Sequence, residues 1–297
     1  MQGLIHKSEF KGVTHNETRK RIVLFLILSF VPMWALSFIY YIMRKDTILL
    51  LMMLLPAIAS VITRVITKEG FAGMLLRPHL KGNLKWYFTA YFAPPFVACF
   101  GAMIYFIIFT SDFSPLKSTF AMEESITSAS ELLKILLTLI PLAIMVNPIM
   151  GVLQCFGEEL GWRGYLLPKV GEKLTPLYGS VVTGVIWGLW HAPIIAMGYN
   201  YGTEHPIGGI FAMTVFCTVL GIISGFLTYK AHSIWPAVLL HASINGMDSW
   251  APSALFMSNK PNMFLGPDLL GVIGGLGFIM IDILLILLMR KWKKDAV

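Results

Sequence analysis

Acidic and basic side chains interrupt one of the apolar stretches of this 297-residue chain, where charged groups are costly. In the sequence Gly-Glu-Glu-Leu-Gly-Trp-Arg, Glu159 and Arg163 are four residues apart. On a helix that spacing puts both side chains on one face, so we expect an ion pair. Glu158 is rotated by about 100° and lacks that partner, which leaves its carboxylate available to a proton, a water molecule or a metal ion. The alternative is an ion pair that only stabilises a helix end.

Histidine occurs in two later apolar stretches. His191 follows Trp187 by four residues and precedes Pro193, and the proline predicts an irregular helix at that point. His241 and Asn245 are also four residues apart, so they would share a helix face and could donate to one oxygen atom. The alternative for each histidine is structural, through a hydrogen bond to a carbonyl group or to a neighbouring helix.

Together these groups supply the side chains that hydrolysis needs. A carboxylate with imidazoles can activate water, and an imidazole with a carboxamide can stabilise an oxyanion. Glu158, His191 and His241 would also suffice as three ligands of a zinc ion with an open position for water. The residues therefore leave a zinc-dependent and a metal-free mechanism open. The sequence has no HExxH, G-x-S-x-G, P-loop or GxGxxG motif.

The composition predicts that these residues lie in a membrane. Hydrophobic residues make up 56% of the chain and charged residues 13%, against roughly a quarter charged in a typical soluble domain. A soluble fold of this length cannot bury so much apolar surface. This excludes an ordinary cytosolic enzyme, a disordered protein and a disulfide-rich secreted scaffold. The three cysteines lie in apolar stretches and indicate neither a disulfide nor a thiolate metal site: Cys99, Cys155 and Cys217.

Eight apolar stretches are long enough to cross roughly 30 Å of hydrocarbon. We therefore predict an all-α polytopic membrane helix bundle. If the N-terminus is cytoplasmic, 18 of the 23 Lys and Arg fall in cytoplasmic segments, which favours a cytoplasmic location for both termini. The net charge of +7 then indicates contact with anionic lipid and not with nucleic acid. The predicted spans are 22–43, 47–67, 86–109, 132–156, 178–199, 207–229, 233–250 and 269–289.

The predicted spans divide the chain into four segments. They are a basic cytoplasmic N-terminal segment (1–21), three spans with an external loop (22–131), a catalytic core (132–250), and a last span with a basic tail (251–297). Glycines four residues apart are interpreted as sites where helices pack closely. These pairs are Gly157/Gly161, Gly184/Gly188, Gly221/Gly225 and Gly271/Gly275.

Three motifs in a fixed order resemble those of the CAAX prenyl protease type II family, also called CPBP or Abi. The resemblance extends from the first motif to the third and covers less than a third of the chain. It departs from the family at Trp187, where the family usually has phenylalanine. The motifs are Glu158-Glu159-x-x-x-Arg163, Trp187-x-x-x-His191 and His241-x-x-x-Asn245.

The resemblance implies an intramembrane endopeptidase on an all-helical fold of eight spans. By matching position, Glu158 would activate the attacking water, and His191 would assist that water or bind a metal. The family has been described both as metalloproteases and as glutamate-type proteases. The other matched residues would have supporting roles: a structural ion pair for Glu159 and Arg163, and the oxyanion site for His241 and Asn245.

The resemblance also implies a range of substrates. Some members trim prenylated CAAX proteins, whereas bacterial members process peptides or confer bacteriocin immunity. The sequence has no sorting signal for an internal organelle, which favours a bacterial cell-membrane protein acting on a peptide or membrane-protein substrate over prenylated CAAX trimming. Two other functions remain open. One is a non-catalytic binding, immunity or scaffold protein using the same cavity, and the other is a proton-coupled transporter using Asp282.

Overall fold

A computed structural model describes residues 15–171 and 173–292, and its regular structure in those ranges is helical, without a β-strand. Five of these helices are long and apolar enough to cross a membrane, which confirms the prediction of an all-α polytopic membrane protein. The helices are α1 His15–Met43, α2 Asp46–Ile66, α3 Leu84–Ile108, α4 Thr119–Glu123, α5 Ala129–Gly161, α6 Leu167–Gly171, α7 Pro176–Trp190, α8 Ala192–Ala196, α9 Pro206–Ala231, α10 Trp235–Gly246, α11 Pro252–Phe256 and α12 Leu276–Met289.

Three of the eight predicted spans correspond to helices shorter than expected. The fifth span is broken at His191, where α7 ends and α8 begins, as Pro193 predicts. The seventh and eighth correspond to α10, with 12 residues, and α12, with 14 residues. The number of crossings and the cytoplasmic location of both termini stay predictions. Part of the basic charge behind that orientation lies outside the described residues: Lys7, Lys11, Lys293 and Lys294.

Helix α5 extends five residues beyond the end of the fourth predicted span. Helix α5 continues to Gly161 and is followed by a π-helical turn, Trp162–Leu166, before α6 begins. Hydropathy falls at the two adjacent carboxylates, and this is why the sequence suggests an earlier end. Glu158 and Glu159 lie on this helix, as the predicted ion pair requires, and both are buried. π-Helical turns inside helices frequently occur at functional sites.

The helices form two compact units. The first contains the described parts of Met1–Tyr87 and Asp282–Val297 together with Leu153–Val238. The second contains Phe88–Val152 and Leu239–Ile281. The four-segment division of the sequence stays a prediction.

Glycines bring α7 and α9 into backbone contact within the first unit. A β-carbon added to Gly184 would lie 2.7 Å from Cα of Thr218, and one added to Gly221 would lie 2.8 Å from Cα of Gly184. Gly157 approaches the backbone of α2 in the same way, 2.6 Å from the carbonyl oxygen of Met53. The packing interpretation of these glycines is confirmed. Gly271 and Gly275 precede α12, so their assignment to a helix was wrong.

The Gly184→Ala variant is expected to fold poorly, because the new methyl group would collide with the backbone of α9, which cannot rotate away. Overpacking of this kind typically costs about 1–3 kcal/mol. The measurement is the thermal unfolding midpoint and monodisperse yield in detergent. Gly151→Ala is the matched control, since its nearest contact would be at 4.0 Å and alanine favours the helix. Equal yields of the two variants would contradict the prediction.

A buried charge cluster joins α1, α2 and α6 in the first unit. The carboxylate of Glu69 lies 3.0 Å from Arg21 Nε, 3.6 Å from an Arg64 nitrogen and 3.1 Å from Lys169 Nζ. The ring of Tyr165 stacks against two of these cations, at 5.1 Å from Arg64 and 4.3 Å from Lys169. The sequence suggested lipid-facing cations here, but three of them converge on one carboxylate.

Candidate functional site

The carboxylate of Glu158 is held by two tryptophans. Its Oε2 accepts a hydrogen bond of 2.6 Å from Trp187 Nε1 on α7 and a longer one of 3.4 Å from Trp162 Nε1 in the π-helical turn. An indole N–H can only donate, so both contacts suit an ionised carboxylate. Both of these hydrogen bonds end on Oε2 and neither involves Oε1. The two oxygen atoms of Glu158 therefore have different environments.

Glu159 and Arg163 form the predicted ion pair. Arg163 Nη1 lies 2.9 Å from Glu159 Oε1, and both side chains are almost fully buried, with 1% and 0% of their surface exposed. The guanidinium of Arg163 also stacks on the ring of Trp187 at 4.6 Å. The pair forms although Arg163 lies in the π-helical turn and not in α5 itself. The charge of Arg163 is thus directed to Glu159, and Glu158 is held by neutral donors.

His191 lies in the break between α7 and α8. Its Nδ1 is 2.9 Å from the carbonyl oxygen of Trp187, and a carbonyl oxygen only accepts, so Nδ1 carries the proton. In the neutral ring Nε2 then carries the lone pair, the form needed to accept a proton or bind a metal. This bond is also the one expected if His191 has only a structural role, as a hydrogen-bond partner of a carbonyl group. Cys217 of α9 adds a contact, with Sγ at 3.8 Å from Nδ1.

His241 and Asn245 belong to the second unit. They lie one turn apart on α10, so they share a face as predicted, with His241 buried and Asn245 exposed. In the same unit Ser243 donates to the carbonyl of Tyr91 at 2.8 Å, and Asn147 donates to the carbonyl of Gly246 at 3.0 Å. These bonds fix α10 against α3 and α5.

Among the described residues, no group of three His, Cys, Asp or Glu side chains is arranged to hold a metal ion. We therefore derive no step through a metal, and the zinc site stays a prediction. Asp282, which the transporter alternative uses, is buried on α12, and its Oδ1 has no hydrogen-bond partner within the described ranges.

Sequence reasoning missed two contributors to this arrangement. Trp162 follows Glu158 by four residues, the same spacing that predicted the neighbouring ion pair, so the signal was available. Cys217 lies 26 residues beyond His191, and nothing in its local sequence indicates that contact.

Comparisons with known proteins find a matching family model and similar curated proteins. Residues 136–247 match a family model described as Type II CAAX prenyl endopeptidase Rce1-like. The chain is 34% identical over 92 residues to CAAX prenyl protease 2 of Methanococcus maripaludis, covering 30% of this chain and 34% of that protein. It is 26% identical over 113 residues to lysostaphin resistance protein A of Staphylococcus haemolyticus, covering 38% and 28% respectively.

The resemblance drawn from the three motifs is thus confirmed for residues 136–247, a stretch that contains all six predicted site residues. The aligned part of the chain spans about a third of the length of the curated relatives it matches.

Proposed function

We propose that this protein is a CAAX-type intramembrane endopeptidase of the cell membrane, in which Glu158 activates the attacking water. The observation that carries the proposal is the environment of Glu158. Its Oε2 is fixed by two indole donors, and its charge is not cancelled by Arg163, which pairs with Glu159. Acid–base catalysis uses neighbouring carboxylates whose different environments give them different roles. Here Glu158 would react, and Glu159 would have a structural role. The family match supports the assignment.

In the proposed mechanism Oε1 of Glu158 accepts a proton from water as the water oxygen attacks the carbonyl carbon of the scissile bond. His191 orients the same water through Nε2, the nitrogen that its bond to Trp187 leaves with the lone pair. Glu158 then returns the proton to the amide nitrogen, the C–N bond breaks, and a carboxylic acid and an amine leave, between which the remaining proton is exchanged to give a carboxylate and an ammonium group. The buried pair of Glu159 and Arg163 holds the end of α5 and keeps the Glu158 side chain in place.

The oxyanion of the tetrahedral intermediate is assigned to His241 and Asn245. The support is their order in the sequence, their one-turn spacing on α10 and their inclusion in the family match. Two donors on one helix face can approach a single oxygen atom. The proposed substrate is a peptide or a membrane-associated protein cleaved near the cytoplasmic face, with bacterial-type processing or immunity favoured over prenylated CAAX trimming.

The test compares cells producing the wild type with cells producing equal amounts of the Glu158→Ala variant. Membrane and secreted peptides are identified by N- and C-terminal mass spectrometry. We expect cleavage products that appear only with the wild type, because Glu158 is the group that takes the proton of the water in the proposed mechanism. Glu123→Gln is the control, since this exposed carboxylate takes no part in the mechanism, and its products should match those of the wild type.

Identical peptide profiles, together with a phenotype that survives Glu158→Ala, would reject the protease and favour the binding or immunity protein. The purified wild type is also assayed on the identified substrate with and without a chelator. Loss of cleavage that zinc restores would support the predicted metal set, and unchanged cleavage would support the glutamate mechanism.

A further inference from the structure

Trp187 contacts three polar groups of the first unit at once. Its indole N–H donates to Glu158 Oε2 at 2.6 Å. Its backbone carbonyl accepts from His191 Nδ1 at 2.9 Å, and its ring lies under the guanidinium of Arg163 at 4.6 Å. The side chain is 3% exposed, so water does not compete freely for these contacts.

We propose that Trp187 is the positioning residue of this site, and that its indole N–H sets which oxygen of Glu158 acts as the base. This inference rests on the proposed function and adds to it. The terminal torsion of a glutamate side chain is broad, so the two carboxylate oxygens exchange unless one is anchored. A short bond to Oε2 removes that freedom and presents Oε1 to the attacking water.

The two tryptophans contribute unequally. Trp162 comes from the same continuous helical segment as Glu158, and its Nε1 lies 3.4 Å from Oε2, at the limit of a hydrogen bond. Trp187 comes from α7 and makes the bond of 2.6 Å. It therefore fixes the carboxylate relative to a second helix, the one that ends at His191. Glu158 and His191, which both take part in the proposed mechanism, are therefore both held by Trp187.

Replacing Trp187 by phenylalanine removes the hydrogen bond to Glu158 but can keep the other two contacts. The backbone carbonyl would still accept from His191, and the aromatic face would still be available to Arg163. The indole N–H is lost together with one ring of the bicyclic side chain. We expect Trp187→Phe to lower kcat about 10- to 100-fold, as misplacement of a reacting group does. KM should stay unchanged, because the indole has no proposed contact with substrate.

Two variants calibrate this effect. Trp162→Phe should lower kcat less than Trp187→Phe does, since its bond is longer. Trp235→Phe is the matched control, because it also removes one indole hydrogen bond in the first unit, from Nε1 to the carbonyl of Leu76 at 2.7 Å, and should keep the wild-type kcat. A raised KM with unchanged kcat in Trp187→Phe would overturn the inference.

A shape-preserving replacement separates the hydrogen bond from packing. In 3-benzothienylalanine a sulfur atom replaces the indole N–H, and the bicyclic ring keeps nearly the same shape. This amino acid at position 187 should reproduce the fall in kcat seen with phenylalanine. Full activity would mean that ring volume matters and the N–H does not, which contradicts the proposed role.

The hydrogen bond from Trp187 to Glu158 can also be measured without an assay of catalysis. In a ¹⁵N–¹H spectrum of the detergent-solubilised wild type, the indole resonance missing from Trp187→Phe belongs to Trp187. It should move when Glu158→Ala removes the acceptor, and that of Trp235 should not. An unmoved Trp187 resonance would overturn the inference. A wild type without Glu158-dependent cleavage would reject the proposed function, whereas equal kcat in the wild type and Trp187→Phe would reject the positioning role alone.

Discussion

Arg163→Ala is expected to remove most of the folded protein, because the buried carboxylate of Glu159 loses the cation 2.9 Å away. Breaking a buried pair by removing one partner typically costs about 3–5 kcal/mol, a large fraction of the stability of a typical protein. The measurement is the monodisperse yield by size-exclusion chromatography in detergent, followed by the thermal unfolding midpoint.

Adding Glu159→Gln to Arg163→Ala should restore part of the yield, because a neutral amide needs no counter-charge. Restoration should be incomplete, since the contact of the guanidinium with Trp187 at 4.6 Å stays lost. A double variant as poor as Arg163→Ala alone would show that the ion pair is not what the arginine provides.

Glu69→Gln is expected to be comparably destabilising. The carboxylate of Glu69 is within 3.6 Å of Arg21, Arg64 and Lys169, so its neutralisation leaves three close cations with mutual repulsion. Each loses the interaction that offsets its desolvation, and we expect a loss of at least about 3 kcal/mol. The measurement is the thermal unfolding midpoint in detergent. Glu123→Gln is the control, because loss of its exposed carboxylate should change the free energy of unfolding by no more than about 0.5 kcal/mol.

Lys169→Met in the Glu69→Gln background should recover part of the loss, since methionine keeps much of the length of lysine without its charge. If Glu69→Gln alone unfolds at the wild-type midpoint, the cluster contributes nothing to stability. A double variant less stable than Glu69→Gln would indicate that Lys169 has another anionic partner.

Local spacing predicted the parts of the structure that depend on neighbours along the chain. The pair of Glu159 and Arg163 follows from the helical repeat, and the break at His191 follows from the missing N–H and fixed backbone angle of Pro193. The class of fold follows from composition alone, because only a membrane accommodates so much apolar surface.

Contacts between distant segments were not available from the sequence. Trp187 is 29 residues from Glu158, and its indole could face lipid, another helix or the carboxylate without any change in local pattern. Glu69 lies in a connection after α2, where a carboxylate would ordinarily be solvated. Glu69 is buried because α1, α2 and α6 pack together around it, and the sequence of no single segment indicates that packing.

The short helices have a consequence for the surrounding lipid. With 15, 12 and 14 residues, α7, α10 and α12 reach only about 22, 18 and 21 Å at the helical rise, against roughly 30 Å of hydrocarbon. If these helices cross the bilayer as predicted, local thinning of the bilayer would relieve this hydrophobic mismatch. In the proposed mechanism, acyl-chain length would then affect the rate, because a thinner leaflet would bring headgroups and water closer to the carboxylate of Glu158.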